Sequence, residues 1–278
     1  MFNGRTVAGS ILDRRGSLCA EAYIRAVTFD VAADSYNRFM GRYSEPLAVQ
    51  FAELADVRAG YRALDVGCGP GALTAQLVER LGADAVSAVD PSPMFVAAIG
   101  ARFPEVDARS GAAEHLPFPD NCFDLALAQL VVPFMTDAVS GLMEMARVTR
   151  PGGLVAACVW DHAGGGGPLS TFWRAVHDTD PGARDEAEAA GVREGPLAAL
   201  CEAAGLTHIE ATTLTVKVRS ATFADWWEPF TLGVGPAGAY VTRLDGRGRE
   251  VLRNRCAQLL PPAPFEVAAS AWCVSGRA

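Results

Sequence analysis

Four short apolar runs alternate with helix-like stretches between residues 61 and 160 of this chain. The runs are YRALDV, DAVSAVD, CFDLALAQLVV and LVAACVW, at residues 61–66, 84–90, 122–132 and 154–160. Between the first two, Leu73, Leu77 and Leu81 recur at the spacing of one helix face. Strands that alternate with helices favour a mostly parallel sheet with helices on both faces. The chain is therefore predicted to be an α/β protein.

The connecting helices are predicted from their apolar faces and end signals. Gly82 follows the first of them, where a glycine commonly ends a helix. In the stretch 137–150, we expect the buried face to consist of Val139, Leu142, Met143 and Ala146.

The regular alternation ends after Trp160. Residues 162–195 contain the glycine run Gly164–Gly167 and are predicted to be irregular, and a second inserted segment spans residues 221–262. We expect these two segments to cover a site, with the glycine run as a hinge. The remaining predicted strands are at 207–218 and 265–276. Further helices are predicted around Leu47, Phe51 and Leu54, at 91–103, at 197–206, and within the second inserted segment at Leu252–Leu260.

Composition narrows the classes of partner. A net charge of −8 opposes nucleic-acid binding, which depends on lysine and arginine, so we expect a small-molecule partner. The seven cysteines occur without a C-x-x-C pair and predict reduced thiols in the cytoplasm. No apolar run is long enough to span a membrane, and no cluster has metal-ligand spacing. Residues 1–27 are expected to be a disordered tail before a domain at 28–278.

The glycine-rich turn after the first strand is the most specific signal for a ligand. It reads LDVGCGPG, with Gly67, Gly69 and Gly71 spaced two residues apart. In an open α/β sheet, such a turn lies at the carboxyl ends of the strands, where ligands bind. Asp65 would repel a diphosphate but hold an ammonium group, and Asp90 ends the next strand, where one carboxylate accepts from two ribose hydroxyls. The predicted ligand carries an amino-acid end and a ribose.

At these positions the sequence resembles the class I S-adenosylmethionine-dependent methyltransferases, type 11 group. The motifs LDVGCGPG, AVD, GAAEHLPFPDNCFD and RVTRPGG carry the resemblance, at residues 64–71, 88–90, 111–124 and 147–153. It implies a Rossmann-like, doubly wound sheet of seven strands with S-adenosylmethionine as cofactor. Asp90 would bind the ribose and Met94 would pack on the adenine. The family usually has an aspartate where this chain has Ala112, so either Glu114 or the backbone of Ala112 and Ala113 would read the adenine.

Each of these residues also has a structural interpretation. Asp90 is well placed to cap the helix that begins near Pro91, and Met94 is of a type that usually packs in a core. A glycine turn alone is often structural, but the ordered set of motifs favours the cofactor interpretation.

Candidate residues for the methyl acceptor follow the fourth and fifth strands. We expect Gln129 beside the cofactor and Phe134 and Trp160 in the substrate pocket. If the acceptor must lose a proton, the ordinary pKa of His162 suits a general base, and Asp161 would orient it or the acceptor. Polar loop residues at strand ends are the structural alternative.

Two tryptophans in the second inserted segment, Trp226 and Trp227, are expected to line the substrate pocket, because aromatic side chains exclude water. The alternative is that they attach the segment to the domain. The predicted function is methyl transfer to a small, largely apolar molecule. An NAD-dependent oxidoreductase or epimerase is the rival enzyme, which the glycine spacing and Asp65 oppose, and a non-catalytic cofactor-binding regulatory protein is left open by Ala112.

Overall fold

Residues 33–278 are described in the computed structural model of this protein, and the predicted tail at 1–27 lies outside them. They form one seven-stranded sheet in the order β3-β2-β1-β4-β5-β7-β6. The strands are β1 Ala63–Val66, β2 Val86–Asp90, β3 Asp107–Ser110, β4 Phe123–Gln129, β5 Thr149–Trp160, β6 Thr207–Ser220 and β7 Phe265–Arg277. Strands β1 to β5 are parallel, whereas β7 runs antiparallel to both of its neighbours. The predicted fold class is confirmed.

Ten α-helices occur within residues 33–278. They are α1 Ala33–Tyr36, α2 Arg42–Leu54, α3 Ala72–Leu81, α4 Pro93–Arg102, α5 Ala138–Val148, α6 Ser170–Thr179, α7 Pro196–Ala203, α8 Phe223–Trp227, α9 Gly235–Arg243 and α10 Gly246–Leu259. A π-helical turn, Asn37–Gly41, joins α1 to α2, and 3₁₀ turns occupy Ala83–Ala85, Val132–Phe134 and Glu228–Leu232. None of the helices within this range is long and apolar enough to cross a membrane.

The sheet has a separate hydrophobic cluster on each face, because alternate residues of a strand point to opposite sides. Leu125 and Leu127 of β4 belong to one cluster, and Ala126 and Ala128 belong to the other. This arrangement explains why the central strands read as continuous apolar runs in the sequence.

The helix faces were predictable with one error. Gly82 ends α3 with a φ of 85°, as its position indicates. In α5, however, Leu142, Met145 and Val148 are buried, while Met143 is 54% exposed. The prediction for Met143 is wrong because the face that meets the sheet is centred one residue away from it.

Strand β3, helix α6 and helix α9 are among the elements that were missed in the sequence. Strand β3 reads DARS and lies at the sheet edge with mostly exposed side chains, so no apolar run marks it. Helix α6 lies inside the segment predicted to be irregular, and it buries Phe172, Trp173 and Val176 at helical spacing. The flanking glycines and prolines of that segment concealed its regular part.

Both inserted segments pack into the larger of the two hydrophobic clusters. Phe172 of the first segment stacks on Phe230 of the second at a ring-centroid distance of 4.5 Å. Phe39 and Trp226 contact the same Phe230 ring at 5.3 and 4.8 Å. We call Phe39, Phe172, Trp226 and Phe230 the aromatic cluster, and it joins the two segments to the N-terminal helices.

Candidate active site

The glycine turn connects β1 to α3 in a conformation that ordinary side chains disfavour. Gly67, Gly69 and Gly71 have φ values of +69°, +51° and +94°. A Cβ on Gly67 would lie 2.5 Å from the Val131 side chain, and one on Gly71 would lie 2.6 Å from Ile99. A Cβ on Gly69 would meet nothing within 4 Å. Gly67 and Gly71 are therefore required by packing, whereas Gly69 faces open space.

Asp90 braces this turn from the end of β2. Its carboxylate accepts hydrogen bonds from the backbone N–H groups of Gly69, at 2.9 Å, and Ser92, at 2.8 Å. Burial raises the pKa of Asp90 above its ordinary value, and these two bonds partly offset the shift. Each oxygen uses only one such bond, so each retains the capacity to accept a further one, as ribose binding requires.

Asp65 is 1% exposed and accepts a 2.6 Å hydrogen bond from the Thr74 hydroxyl. Burial raises its pKa to about 7, with a smaller contribution from the nearby charge of Asp90. A buried carboxyl of this kind becomes charged readily when a cation is supplied to it.

A small cavity lies between the glycine turn and α2, and we call it the cofactor cavity. Asp65, Gly67, Gly69 and Gln129 line it. Gln129 donates to the Ser44 carbonyl at 2.9 Å, but its Oε1 is buried and has no hydrogen-bond partner among the described residues. An ammonium group would satisfy this oxygen and pair with Asp65. The residues present thus fit the amino-acid end of S-adenosylmethionine.

The residues that were predicted to contact the adenine are not all arranged as expected. Met94 lies in the first turn of α4 and is 45% exposed, without a place in the lining of the cofactor cavity. Glu114 accepts hydrogen bonds from the backbone N–H groups of Thr136 and Asp137, so one of its oxygens braces the loop before α5. Ala112 is exposed and Ala113 is buried. Adenine recognition by backbone groups of this loop stays a prediction.

A second cavity, which we call the apolar cavity, adjoins the cofactor cavity. The two share Tyr36 and Leu130. Its further lining comes from Phe39, Met40, Pro133, Phe134, Trp160, His162, Leu169, Glu186, Ala189, Val234, Gly235 and Pro236. Phe134 and Trp160 therefore line the same cavity, to which both inserted segments contribute wall residues, and their place in a substrate pocket stays a prediction.

The two shared residues were missed by the sequence analysis. Leu130 has a φ of +66°, which a leucine rarely adopts, and such strain is concentrated at functional sites. Burial, together with the negative charge of Asp90, raises the pKa of Tyr36 to about 12. Tyr36 stands near the π-helical turn, an element often found at functional sites, but neither feature has a clear sequence signal.

His162 and Asp161 are not arranged as a base with its orienting acid. His162 lines the apolar cavity, but burial lowers its pKa to about 4 despite the opposing charges of Asp185 and Asp161. It is a weaker base than its ordinary pKa implies. The Asp161 carboxylate instead accepts from the backbone N–H of Gly164 at 2.8 Å.

The glycine run packs around Asp161 and is not a free hinge. A Cβ on Gly164 or Gly166 would lie 2.5 Å from that carboxylate. Gly167 N–H donates to the Asp161 carbonyl at 2.7 Å, and the Gly166 carbonyl accepts from Ser270 at 2.8 Å. Asp161 thus organises a turn at the end of β5. In this structure it does not orient His162, and the glycine run is packed into the turn rather than free to act as the expected hinge.

Trp226 and Trp227 do not line the cofactor cavity or the apolar cavity. Trp226 is fully buried in the aromatic cluster, and Trp227 packs beside Phe223 and Phe230. Their predicted place in the substrate pocket is wrong, because they attach the second segment to the domain. Leu169, Val234 and Pro236, rather than the two tryptophans, line the apolar cavity.

Comparison with known proteins agrees with this geometry. Residues 64–157 match a family of type 11 methyltransferases, described as "Methyltransferase domain". An uncharacterized methyltransferase of Mycobacterium tuberculosis (strain ATCC 25618 / H37Rv) is 38% identical over 136 residues, which are 49% of this chain and 53% of that protein. A malonyl-[acyl-carrier protein] O-methyltransferase of Erwinia billingiae is 35% identical over 130 residues, or 47% and 51% of the two chains.

Solved structures resemble the fold at lower identity. A putative methyltransferase from an antibiotic biosynthesis pathway of Anabaena variabilis has a TM-score of 0.57 and 16% identity, over 84% of this chain and 97% of that one. The chain spans about half the length of the curated relatives it matches. Residues 64–157, which match this methyltransferase domain family, contain the glycine turn, Asp65, Asp90 and Gln129.

Proposed function

We propose that this chain transfers a methyl group from S-adenosylmethionine to a small, largely apolar molecule. The observation that carries the proposal is the junction of two unlike cavities. A polar cavity beside the glycine turn and an apolar cavity beneath the inserted segments meet at Tyr36 and Leu130. A methyl donor held in the first would present its methyl group toward an acceptor in the second.

The chain's own residues divide the work of binding and alignment. Asp90 would accept from the ribose hydroxyls, while Asp65 and the Gln129 Oε1 atom would hold the ammonium group. The bound cofactor supplies an electrophilic methyl group with a neutral leaving group. The protein must then align the acceptor and exclude water, for which apolar walls such as Phe39, Met40 and Leu169 are suited.

The rival functions have less support. Asp65 stands at the point where a dinucleotide fold would place a diphosphate, and a buried carboxylate there would repel it. A non-catalytic cofactor-binding protein has no need of a second cavity that meets the first. The net charge of −8 also favours a small-molecule acceptor over a nucleic acid.

We also propose a cytoplasmic location. The six described cysteines, which include Cys68, Cys158 and Cys273, are free thiols, and five of the six are buried. Unpaired thiols are typical of a reducing compartment.

Calorimetric titration with S-adenosylhomocysteine and with NAD tests the cofactor part of the proposal. We expect saturable binding of S-adenosylhomocysteine and none of NAD. A methyl-release assay over a library of uncharged aromatic and aliphatic acceptors then tests turnover. Binding of NAD alone would support the oxidoreductase, and cofactor binding without turnover on any acceptor would support the regulatory protein.

A further inference from the structure

The apolar cavity contains one carboxyl group, that of Glu186. This residue lies in the loop between α6 and α7, is 5% exposed, and lines the cavity together with His162. The three charged residues nearest to it in sequence, Arg184, Asp185 and Glu188, are more exposed than Glu186 itself. A carboxyl group in an apolar wall is costly to bury unless something pairs with it.

Two polar atoms of this lining have no partner inside the described part of the chain. They are the Oε2 atom of Glu186 and the Nε1 atom of Trp160, both inaccessible to water. The Trp173 indole opposes part of the rise in the Glu186 pKa as a hydrogen-bonding neighbour, although its Nε1 does not reach full hydrogen-bond geometry with any described residue. In the lining of the apolar cavity itself, the Trp160 N–H and one oxygen of Glu186 are thus left for a ligand to satisfy.

The charge of the lining is equally informative. No lysine or arginine occurs among the described residues that line the apolar cavity. A carboxylate ligand would therefore be buried without a cation and beside a second carboxyl group, whereas an uncharged oxygen would meet both orphan atoms. The described lining therefore offers no cation to pair with an acid.

We propose that Glu186 and Trp160 are specificity-determining residues that bind an uncharged oxygen group, a hydroxyl, on a largely apolar acceptor. The indole N–H of Trp160 donates to this oxygen, and the Glu186 carboxyl group exchanges a hydrogen bond with it. This inference rests on the proposed function and narrows its acceptor to alcohols and phenols rather than carboxylic acids.

The protonation state of Glu186 agrees with this role. Burial raises its pKa to about 8, and the neighbouring charge of Asp185 acts in the same direction. His162, on the same wall, is neutral because burial lowers its pKa to about 4. On the outer side, His177, Asp178, Asp185 and Arg174 line a polar cleft that His162 and Glu186 also border. Tyr36, whose pKa is raised to about 12, also lines the cavity, so at neutral pH all three titratable groups of the described wall are uncharged.

Three probes of one shape separate the alternatives: 2-naphthylmethanol, 2-naphthoate and 2-methylnaphthalene. Their affinities are measured by calorimetry at about pH 6.5, below the pKa of Glu186, with the protein saturated by S-adenosylhomocysteine. We expect the alcohol to bind at least about tenfold more tightly than either of the others. In Glu186→Leu the advantage of the alcohol over 2-methylnaphthalene should fall to less than about threefold, with the affinity for 2-methylnaphthalene unchanged.

Glu188→Leu, in the same loop, is the matched control and should keep the wild-type ranking. Trp160→Phe is a second variant, which removes the indole N–H and should reduce the same advantage. Equal affinities of the alcohol and 2-naphthoate, no binding of the alcohol, or an advantage that survives in both variants would overturn the inference. Failure to bind S-adenosylhomocysteine would instead contradict the proposed function, so the two failures are distinguishable.

Discussion

Residues 63–160 and residues 161–264 use clustered glycines in opposite ways. In the first region, glycines near a ligand site adopt positive φ and one of them, Gly69, faces open space. In the second, the glycines of the run 164–167 close around Asp161, and the large aromatic side chains fill the core. Glycine-rich stretches that look alike in the sequence therefore form a turn with an open position in one region and a closed turn in the other.

Each region also buries a carboxyl group that lines a cavity. Asp65 has a hydroxyl partner in Thr74, whereas Glu186 Oε2 has none. Because the Oε1 atom of Gln129, in the first region, also has no partner among the described residues, the difference between the two carboxyl groups is the Thr74 hydroxyl.

The largest predicted effect is on stability, at a residue of the second region that packs in the hydrophobic core. Trp226→Ala should lower the free energy of unfolding by about 3–5 kcal/mol, because it empties a fully buried site in the aromatic cluster. Chemical denaturation measures this loss, and Met143→Ala, at an exposed site, should change stability by less than about 0.5 kcal/mol. A stable Trp226→Ala protein with reduced turnover would restore the substrate-pocket interpretation.

The second-largest loss of stability is expected for a substitution in the glycine turn. Gly67→Ala should cost about 2–4 kcal/mol, since it combines left-handed strain with a 2.5 Å clash against Val131. Gly152 has a similar φ of +75° and no neighbour within 4 Å, so Gly152→Ala should cost only about 1–2 kcal/mol. Thermal unfolding compares the two. Equal losses would mean that Val131 moves aside and that packing does not require Gly67.

The buried carboxyl group of Glu186 predicts that the free energy of unfolding depends on pH. The folded-state pKa of Glu186, about 8, lies above its ordinary value of 4.5, so its contribution to stability is complete below about pH 4.5 and is lost as pH rises through 8. Glu186→Gln should therefore flatten the decline in unfolding free energy between about pH 5 and 8 by on the order of 2 kcal/mol. Denaturant titrations at several pH values measure it, and an unchanged slope would show that Glu186 is ionised in the folded protein.

The last prediction concerns ligand affinity rather than stability, and its site is Asp90. Asp90→Ala should weaken S-adenosylhomocysteine binding at least about tenfold, because charge-assisted hydrogen bonds to the ribose are lost. Asp84→Ala, near the other end of β2, is the control for the loss of one acidic charge. Unchanged affinity in folded Asp90→Ala would leave Asp90 as a brace for Gly69 and Ser92 only.

The same contrast explains which features were predictable. The glycine turn, Asp65 and Asp90 were recognisable because backbone conformation there demands particular residue types at fixed spacing. Tyr36 and Glu186 were not, since their importance depends on which elements the fold brings against them, and neither lies in a periodic pattern. Trp226 was misassigned because burial in a core and burial in a pocket select the same aromatic residue.

The position of β7 between β5 and β6 has a consequence for folding during synthesis. Strands β1 to β5 are complete once Trp160 has left the ribosome, so the part of the sheet that carries the glycine turn is able to form early. Strand β6 has no sheet neighbour until Phe265–Arg277 follow it, about fifty residues later along the chain. The first inserted segment emerges before β6, and the second, which supplies Val234, Gly235 and Pro236 to the apolar cavity, emerges in that interval. A nascent chain would thus acquire the sheet edge with the glycine turn before the complete apolar cavity, with β6 transiently exposed to pairing with other chains.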